Sequence, residues 1–452
     1  MPTWQSSMDR FARWFPVVLV LTLPLEFTKQ AFPVQLLDVS RLVLMLGVVV
    51  LAVQVLVLRR PVRIPAQLSF LLLIAFVGLA TVSWMLTRSS EGLKSTAALY
   101  AYLAMLVLLY NWLGDETALR RTWRALAVSG VLIGVAGTAL YAARVSLWAG
   151  DQLPRAYATF GDPNITARFL ALSAAAGVIV AAHADSRRWR LFAVASAVVA
   201  GIAIPFTLSR QGYALFFIAL VAGVAVVRLR RAGAVAAGAG AAAFALMLVL
   251  FPATASRVDD AALHALNPVL QQRLPDGRKT DLGWVDRLPV DVERRYLIAA
   301  GLQMFEDHPL TGVGEGGFQH AMETTYAAYI QRGYFDVASH TSLVTVLAEE
   351  GVPGLVLLLV LVVQLFRETR RSARSATGET REMMLAAALM LGVILLASQL
   401  EGRLFPEPYL WLFLGLLYAA QGGRSLEWAR RTEPAIRPAT APGSTAVSGR
   451  TG

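Results

Sequence analysis

Apolar runs of roughly 17–25 residues recur along nearly the whole chain, and each is long enough to cross a bilayer as a helix. In a hydrocarbon environment every backbone N–H and C=O must find its partner inside the protein. Repeated runs of this length therefore admit a bundle of helices and little else. The sequence predicts an all-α, polytopic membrane protein of about twelve spans. They fall at roughly 11–28, 40–58, 67–87, 95–114, 125–148, 165–182, 190–207, 211–227, 232–252, 340–366, 383–400 and 404–421. Charged residues make up only 16% of the chain, against about a quarter in soluble proteins. Four segments follow: nine helices over 1–252, a large polar loop over 253–339, three helices over 340–421, and a tail over 422–452. The last twenty residues of that tail are rich in Pro, Ala, Thr, Ser and Gly, a composition expected to be disordered.

The net charge of +11 and the pI near 10.2 would suggest nucleic acid in a soluble protein. Here the placement of the basic residues gives another reason. Arginines cluster before the first span, after each even-numbered span through the tenth, and in the tail. Those clusters hold 24 Lys and Arg, whereas the short loops on the other side hold nine, among them Arg155, Arg168, Arg210 and Arg403. Positive loops stay cytoplasmic. Both termini are thus expected in the cytoplasm of a bacterial inner-membrane protein, with the long loop in the periplasm. The first apolar stretch, about Phe11 to Thr28, lacks a small-residue cleavage site and reads as a retained signal-anchor. With no cysteine, disulfides, iron–sulfur clusters and thiolate zinc sites are excluded. No His, Asp and Glu group has metal-ligand spacing, so neither a metal nor another cofactor is expected.

Four polar clusters interrupt the apolar background, all on the predicted periplasmic side. They are Phe160-Gly161-Asp162-Pro163-Asn164, then Thr207-Leu208-Ser209-Arg210-Gln211-Gly212, then Arg294 with His308-Pro309-Leu310-Thr311-Gly312-Val313-Gly314, and last His340-Thr341 followed by Gly351-Val352-Pro353-Gly354. Each admits a plain structural reading. Asp162-Pro163-Asn164 is a turn and helix cap. Arg210 is an interfacial anchor with its stem in lipid, or a functional charge in an otherwise nearly uncharged turn. The glycines after His308-Pro309 read as a helix stop and turn. His340 sits where the polar loop re-enters the membrane, and imidazole is the side chain that takes up a proton near neutral pH. Glu349 and Glu350 lie inside span ten, where a carboxylate needs an arginine partner or a wet cleft. In the loop, amphipathic spacing predicts a helix over Val292–Glu306 and a second over about Gly317–Gln331.

Taken together and in this order, these residues resemble the O-antigen ligase and polymerase superfamily of bacterial envelope glycosyltransferases. The ligase pattern is met by His340, Thr341, Gly351 and Gly354, with Thr341 where Asn is common. Arg294, the His308-Pro309 pair, the Ser209-Arg210 turn and the Pro163-Asn164 turn complete the resemblance over roughly residues 155–370.

The resemblance implies a GT-C-like helical plan and an undecaprenyl-diphosphate-linked glycan donor. It also implies a lipid A–core acceptor and a metal-independent inverting displacement. It gives His340 the role of general base and Arg210 and Arg294 that of binding the diphosphate. Asn164, Thr341, Glu349, Gly351 and Gly354 are expected in support. An O-antigen polymerase and a protein O-oligosaccharyltransferase share much of this logic. A secondary transporter or lipid-linked sugar flippase is the alternative of another class.

Overall fold

The structure is a computed structural model that describes residues 3–31, 37–147, 155–228, 230–251, 256, 284–285, 292–329, 339–402 and 404–432. Among them every regular element is helical. Nine helices precede the loop: α1 (Thr3–Thr22), α2 (Val39–Leu56), α3 (Leu68–Thr87), α4 (Ser90–Trp112), α5 (Glu116–Ala143), α6 (Pro163–Ala182), α7 (Arg187–Phe206), α8 (Arg210–Val226) and α9 (Arg231–Leu250). The loop contributes α10 (Val292–Asp307) and α11 (Phe318–Thr324), and the chain ends with α12 (Ser342–Ser375), α13 (Gly378–Glu401) and α14 (Pro408–Thr432).

Each of the twelve expected spans thus has a helix. Nine of those helices, among the described residues, are long and apolar enough to cross a membrane. Helix α8 has 17 residues and is short for that role, and α1 carries Asp9, Arg10 and Arg13 near its middle. Outward-facing Leu46, Val49, Val221, Val249, Val363 and Phe366 are exposed, as a lipid-facing surface requires.

Several boundaries differ from the expectation. The first helix runs over Thr3–Thr22 and stops ahead of Pro24, so the predicted stretch to Thr28 ends instead in a short 3₁₀ turn, Glu26–Ala31. The second loop helix is only Phe318–Thr324 with a 3₁₀ turn at Ala327–Tyr329. The last helix continues to Thr432, so the first part of the expected tail is helical; residues 433–452 lie outside the described residues. Arg403 is also outside them.

Helix α6 is the hub, with 94% of its apolar window buried, and it packs against α5, α7, α8 and α9. Its run of Ala, Gly and Ser lets neighbouring backbones approach, the usual packing device between helices in lipid. A Cβ on Gly177 would come within 2.7 Å of the Ala193 carbonyl of α7, and one on Gly137 of α5 within 2.9 Å of Ala158. Arg168 was counted among the loop charges although the expected span over 165–182 takes it in; it lies inside α6 and is 1% exposed.

Candidate functional site

The Asp162–Asn164 turn, the Ser209–Arg210 turn and the His340–Thr341 turn come to one end of the bundle, where α6, α8 and α12 begin and α7 and α13 end. At α6, Asp162 is the N-cap, its carboxylate accepting from the Asn164 backbone N–H at 2.7 Å, and Pro163 takes the first helical position. At α8, Ser209 caps through its hydroxyl to the Gly212 N–H at 3.1 Å. The turn before it holds Leu208 at φ 51, a left-handed backbone that a leucine adopts only when its surroundings fix it. Arg210 is the first residue of α8 and is half-buried. Gly212 has no room for a Cβ because Ala167 of α6 lies against it.

One residue counted only as charge in the sequence ties these two turns together. Arg155 donates from Nε to the Thr207 carbonyl at 2.8 Å and from a terminal nitrogen to the Asn164 side-chain oxygen at 3.3 Å.

His340 and Thr341 form the turn into α12. The Thr341 side chain does not cap the helix, although it stands in the N-cap position. The turn is instead held from α13. The Ser342 and Ser398 hydroxyls are 2.8 Å apart, Gln399 donates to the Ser342 hydroxyl at 2.6 Å, and the Leu343 N–H meets the Gln399 side-chain oxygen at 3.4 Å. Gly402, at φ 71, closes α13 directly against this turn: a Cβ there would collide with the Ser339 carbonyl and reach 3.1 Å from the His340 Cα. One residue earlier, Glu401 accepts a hydrogen bond from Gln211, the neighbour of Arg210. The His340 turn and the start of α8 therefore share the end of α13 as their support.

Arg294 arrives from the loop. It lies half-buried in the first turn of α10, and α10 packs along the first half of α12. Gly301 faces Val344, and further along Pro309 bonds to Val352, the same offset at both places. Arg294 lies seven residues, about two turns, before Gly301 on α10.

The remaining expected site residues do not join this group. Gly351 and Gly354 lie roughly 15 Å farther along α12 than His340. Gly351 breaks the helix, with φ 64 and ψ −160. The break frees backbone groups, and the turn after His308 takes them up. The Val313 N–H donates to the Ala348 carbonyl at 2.8 Å, Gly314 N–H to the Glu349 carbonyl at 3.1 Å, and Val352 N–H to the Pro309 carbonyl at 2.9 Å. The His308–Gly314 part of the third cluster and the Gly351 break of the fourth are two halves of one clasp that fastens the loop to α12. Glu349 belongs to it: its carboxylate accepts from the Phe318 N–H at 3.0 Å, at the start of α11. Of the two expectations for it, an arginine partner or a wet cleft, the described residues record no arginine on it; its partner is this backbone donor. His308 is exposed, in keeping with a role in the turn.

Beside the clasp, Glu315 is 7% exposed and Glu350 2%. The Ser95 hydroxyl donates to Glu315, whose own N–H reaches the Ser83 hydroxyl at 3.2 Å. Burial is the largest influence on the Glu315 carboxyl and pushes it up. Among the described residues, no group of three or more His, Asp and Glu side chains could hold a metal ion.

Sequence reading also missed a buried charge network beneath the site. Arg168 lies 2.5 Å from Glu401 and donates to Glu407 at the start of α14, while Glu401 also receives the Gln211 amide. Asn164 stands one turn before Arg168 on the same helix. Hydropathy alone could have flagged the arginine once α6 was started at Pro163, but its two carboxylate partners are more than 230 residues away in sequence.

No curated protein matches the chain. Residues 195–359 match the O-antigen ligase family, from within α7 to the middle of α12, and take in Arg210, Arg294, His340, Gly351 and Gly354. The chain is a multi-pass membrane protein, and this segment of it is similar to the O-antigen ligase family.

Proposed function

We propose that this protein is an O-antigen ligase. It would transfer a polysaccharide from undecaprenyl diphosphate to a sugar hydroxyl of lipid A–core on the periplasmic face of the bacterial inner membrane. The observation that carries the reading is the common support of the His340 turn and the start of α8 on the end of α13, inside the segment that matches the family. That support carries the turns of Arg210 and His340, two groups suited to the chemistry.

The donor's leaving group is a diphosphate that gains negative charge as the glycosidic bond breaks. Guanidinium groups bind phosphate oxygens in pairs and remain cationic. Arg210 and Arg294, approaching from α8 and α10, hold that diphosphate. His340 takes the proton of the attacking acceptor hydroxyl, a role worth typically 10²–10⁴-fold. A single displacement of this kind inverts the anomeric carbon and calls on no metal. Asn164, oriented by Arg155, borders the same region, and Thr341 stands at the N-cap position of the His340 turn. The role of Glu349 and Gly351 is to lock the loop on α12, and with it α10, which carries Arg294, whereas Gly354 gives room for Glu350 and Val346 of its own helix.

Reconstituted protein, lipid A–core and undecaprenyl-diphosphate glycan, incubated with chelator and resolved on a gel, test the reading. A slower ladder of modified core supports the ligase. Longer lipid-linked chains with unmodified core would show the polymerase instead, and glycan on Ser or Thr the protein-modifying relative. No covalent product from folded protein would return the chain to the transporters.

A further inference from the structure

The proposed chemistry leaves the buried charges of α6, α13 and α14 without a part. Arg168 is 1% exposed, and Glu401 and Glu407 are each 9% or less. One guanidinium bridges both carboxylates, and Gln211 donates to Glu401. Such a group is a poor device for stability. Taking ions out of water is costly, and well-packed apolar residues of similar size are often neutral or more stable in its place. In a membrane protein, buried ionisable groups of this kind more often mark function.

Its geometry suggests what the network does. Three of its four members adjoin a group of the proposed site. Arg168 follows Asn164 by one helical turn and shares its face. Gln211 is next to Arg210. Glu401 is next to Gly402, whose backbone lies against Ser339 and His340. Glu407, just before α14, is the second carboxylate on Arg168. Resting on the ligase reading above, we propose that Arg168 is a positioning residue. Through Glu401, Glu407 and Gln211 it sets the separation between the diphosphate-binding Arg210 on α8 and the His340 turn on α12. Arginine suits this task because its planar fork engages two carboxylates at once, which a lysine ammonium does with far less geometric control.

Two variants in lipid nanodiscs separate positioning from mere packing. The triple variant Arg168→Met/Glu401→Gln/Glu407→Gln removes the charges and keeps an amide opposite Gln211. Arg168→Lys keeps the positive charge and loses the fork. Turnover is read per folded protein at saturating donor and acceptor, beside the thermal midpoint. The expected result is a triple variant at least as heat-stable as the wild type with kcat lower by about 10²-fold, the loss that a misplacement near 1 Å can cause. Arg168→Lys should lose about tenfold. Turnover per folded molecule within twofold of the wild type in both variants would overturn the proposal while leaving the ligase reading intact. An inactive wild type would instead remove the ligase reading, and this inference with it.

Discussion

Replacing Gly351 by alanine tests the clasp that joins the loop to α12. The residue sits at φ 64, ψ −160, a region essentially reserved for glycine, and holding another residue there costs about 1–3 kcal/mol. The new Cβ would also stand 2.6 Å from the Pro309 carbonyl and 2.9 Å from the Leu310 carbonyl carbon. Relief requires the turn to back away, which loosens three backbone hydrogen bonds, those donated by Val313, Gly314 and Val352. At about 1 kcal/mol each, two of them lost would bring the total to roughly 4 kcal/mol, on the order of a 10³-fold rise in the open clasp. Hydrogen exchange reads those three amides directly. Their protection should fall by about 10²–10³-fold, while the hydrogen bonds within α13 remain protected. Gly392→Ala is the control, since a Cβ there meets nothing within 4 Å and alanine favours a helix by about 1 kcal/mol. Unchanged protection at Val313, Gly314 and Val352 in the Gly351 variant would refute the reasoning.

Gly402→Ala should act on the other end of the same helix. Its φ of 71 and the collision with Ser339 and His340 predict a displaced His340 turn, with transfer activity reduced at least tenfold in protein that still purifies folded; wild-type turnover would contradict this. Glu315 predicts a pH dependence. Burial raises its carboxyl in the folded protein, so the protonated form is favoured there. The corresponding stability is fully present below the carboxyl's unfolded pKa and is lost as pH rises through the folded value. Glu315→Gln, which keeps a partner for Ser95, should flatten that fall in thermal midpoints measured across the acid-to-neutral range.

Much of this architecture was legible in the sequence, because lipid allows a long apolar run only one local structure. Twelve expected segments correspond to twelve helices. The amphipathic spacing at Val292–Glu306 marked α10 to within a residue. The cap at Asp162 and the helix break at Gly351 were readable from turn chemistry and from glycine. What hydropathy does not carry is pairing between distant helices. The His308–Gly314 turn and the Gly351-x-x-Gly354 motif looked like separate features, yet each supplies the backbone groups the other lacks. The spacing from His340 to Gly354 read as one motif, but it divides into a turn at the membrane end and a clasp roughly 15 Å away. Arg168 was counted with the loop charges even though the expected span over 165–182 takes it in. Its partners Glu401 and Glu407 could only be found in three dimensions. Arg155 was likewise a charge in a loop until its contacts with Thr207 and Asn164 were seen.

The central claim is that His340 removes the proton from the acceptor hydroxyl, and the transfer assay with His340→Ala tests it most directly. The account predicts that the ladder of modified core disappears, with kcat reduced by 10²–10⁴-fold, donor KM near that of the wild type and the thermal midpoint unchanged. A folded His340→Ala protein that transfers glycan within tenfold of the wild-type rate would contradict it.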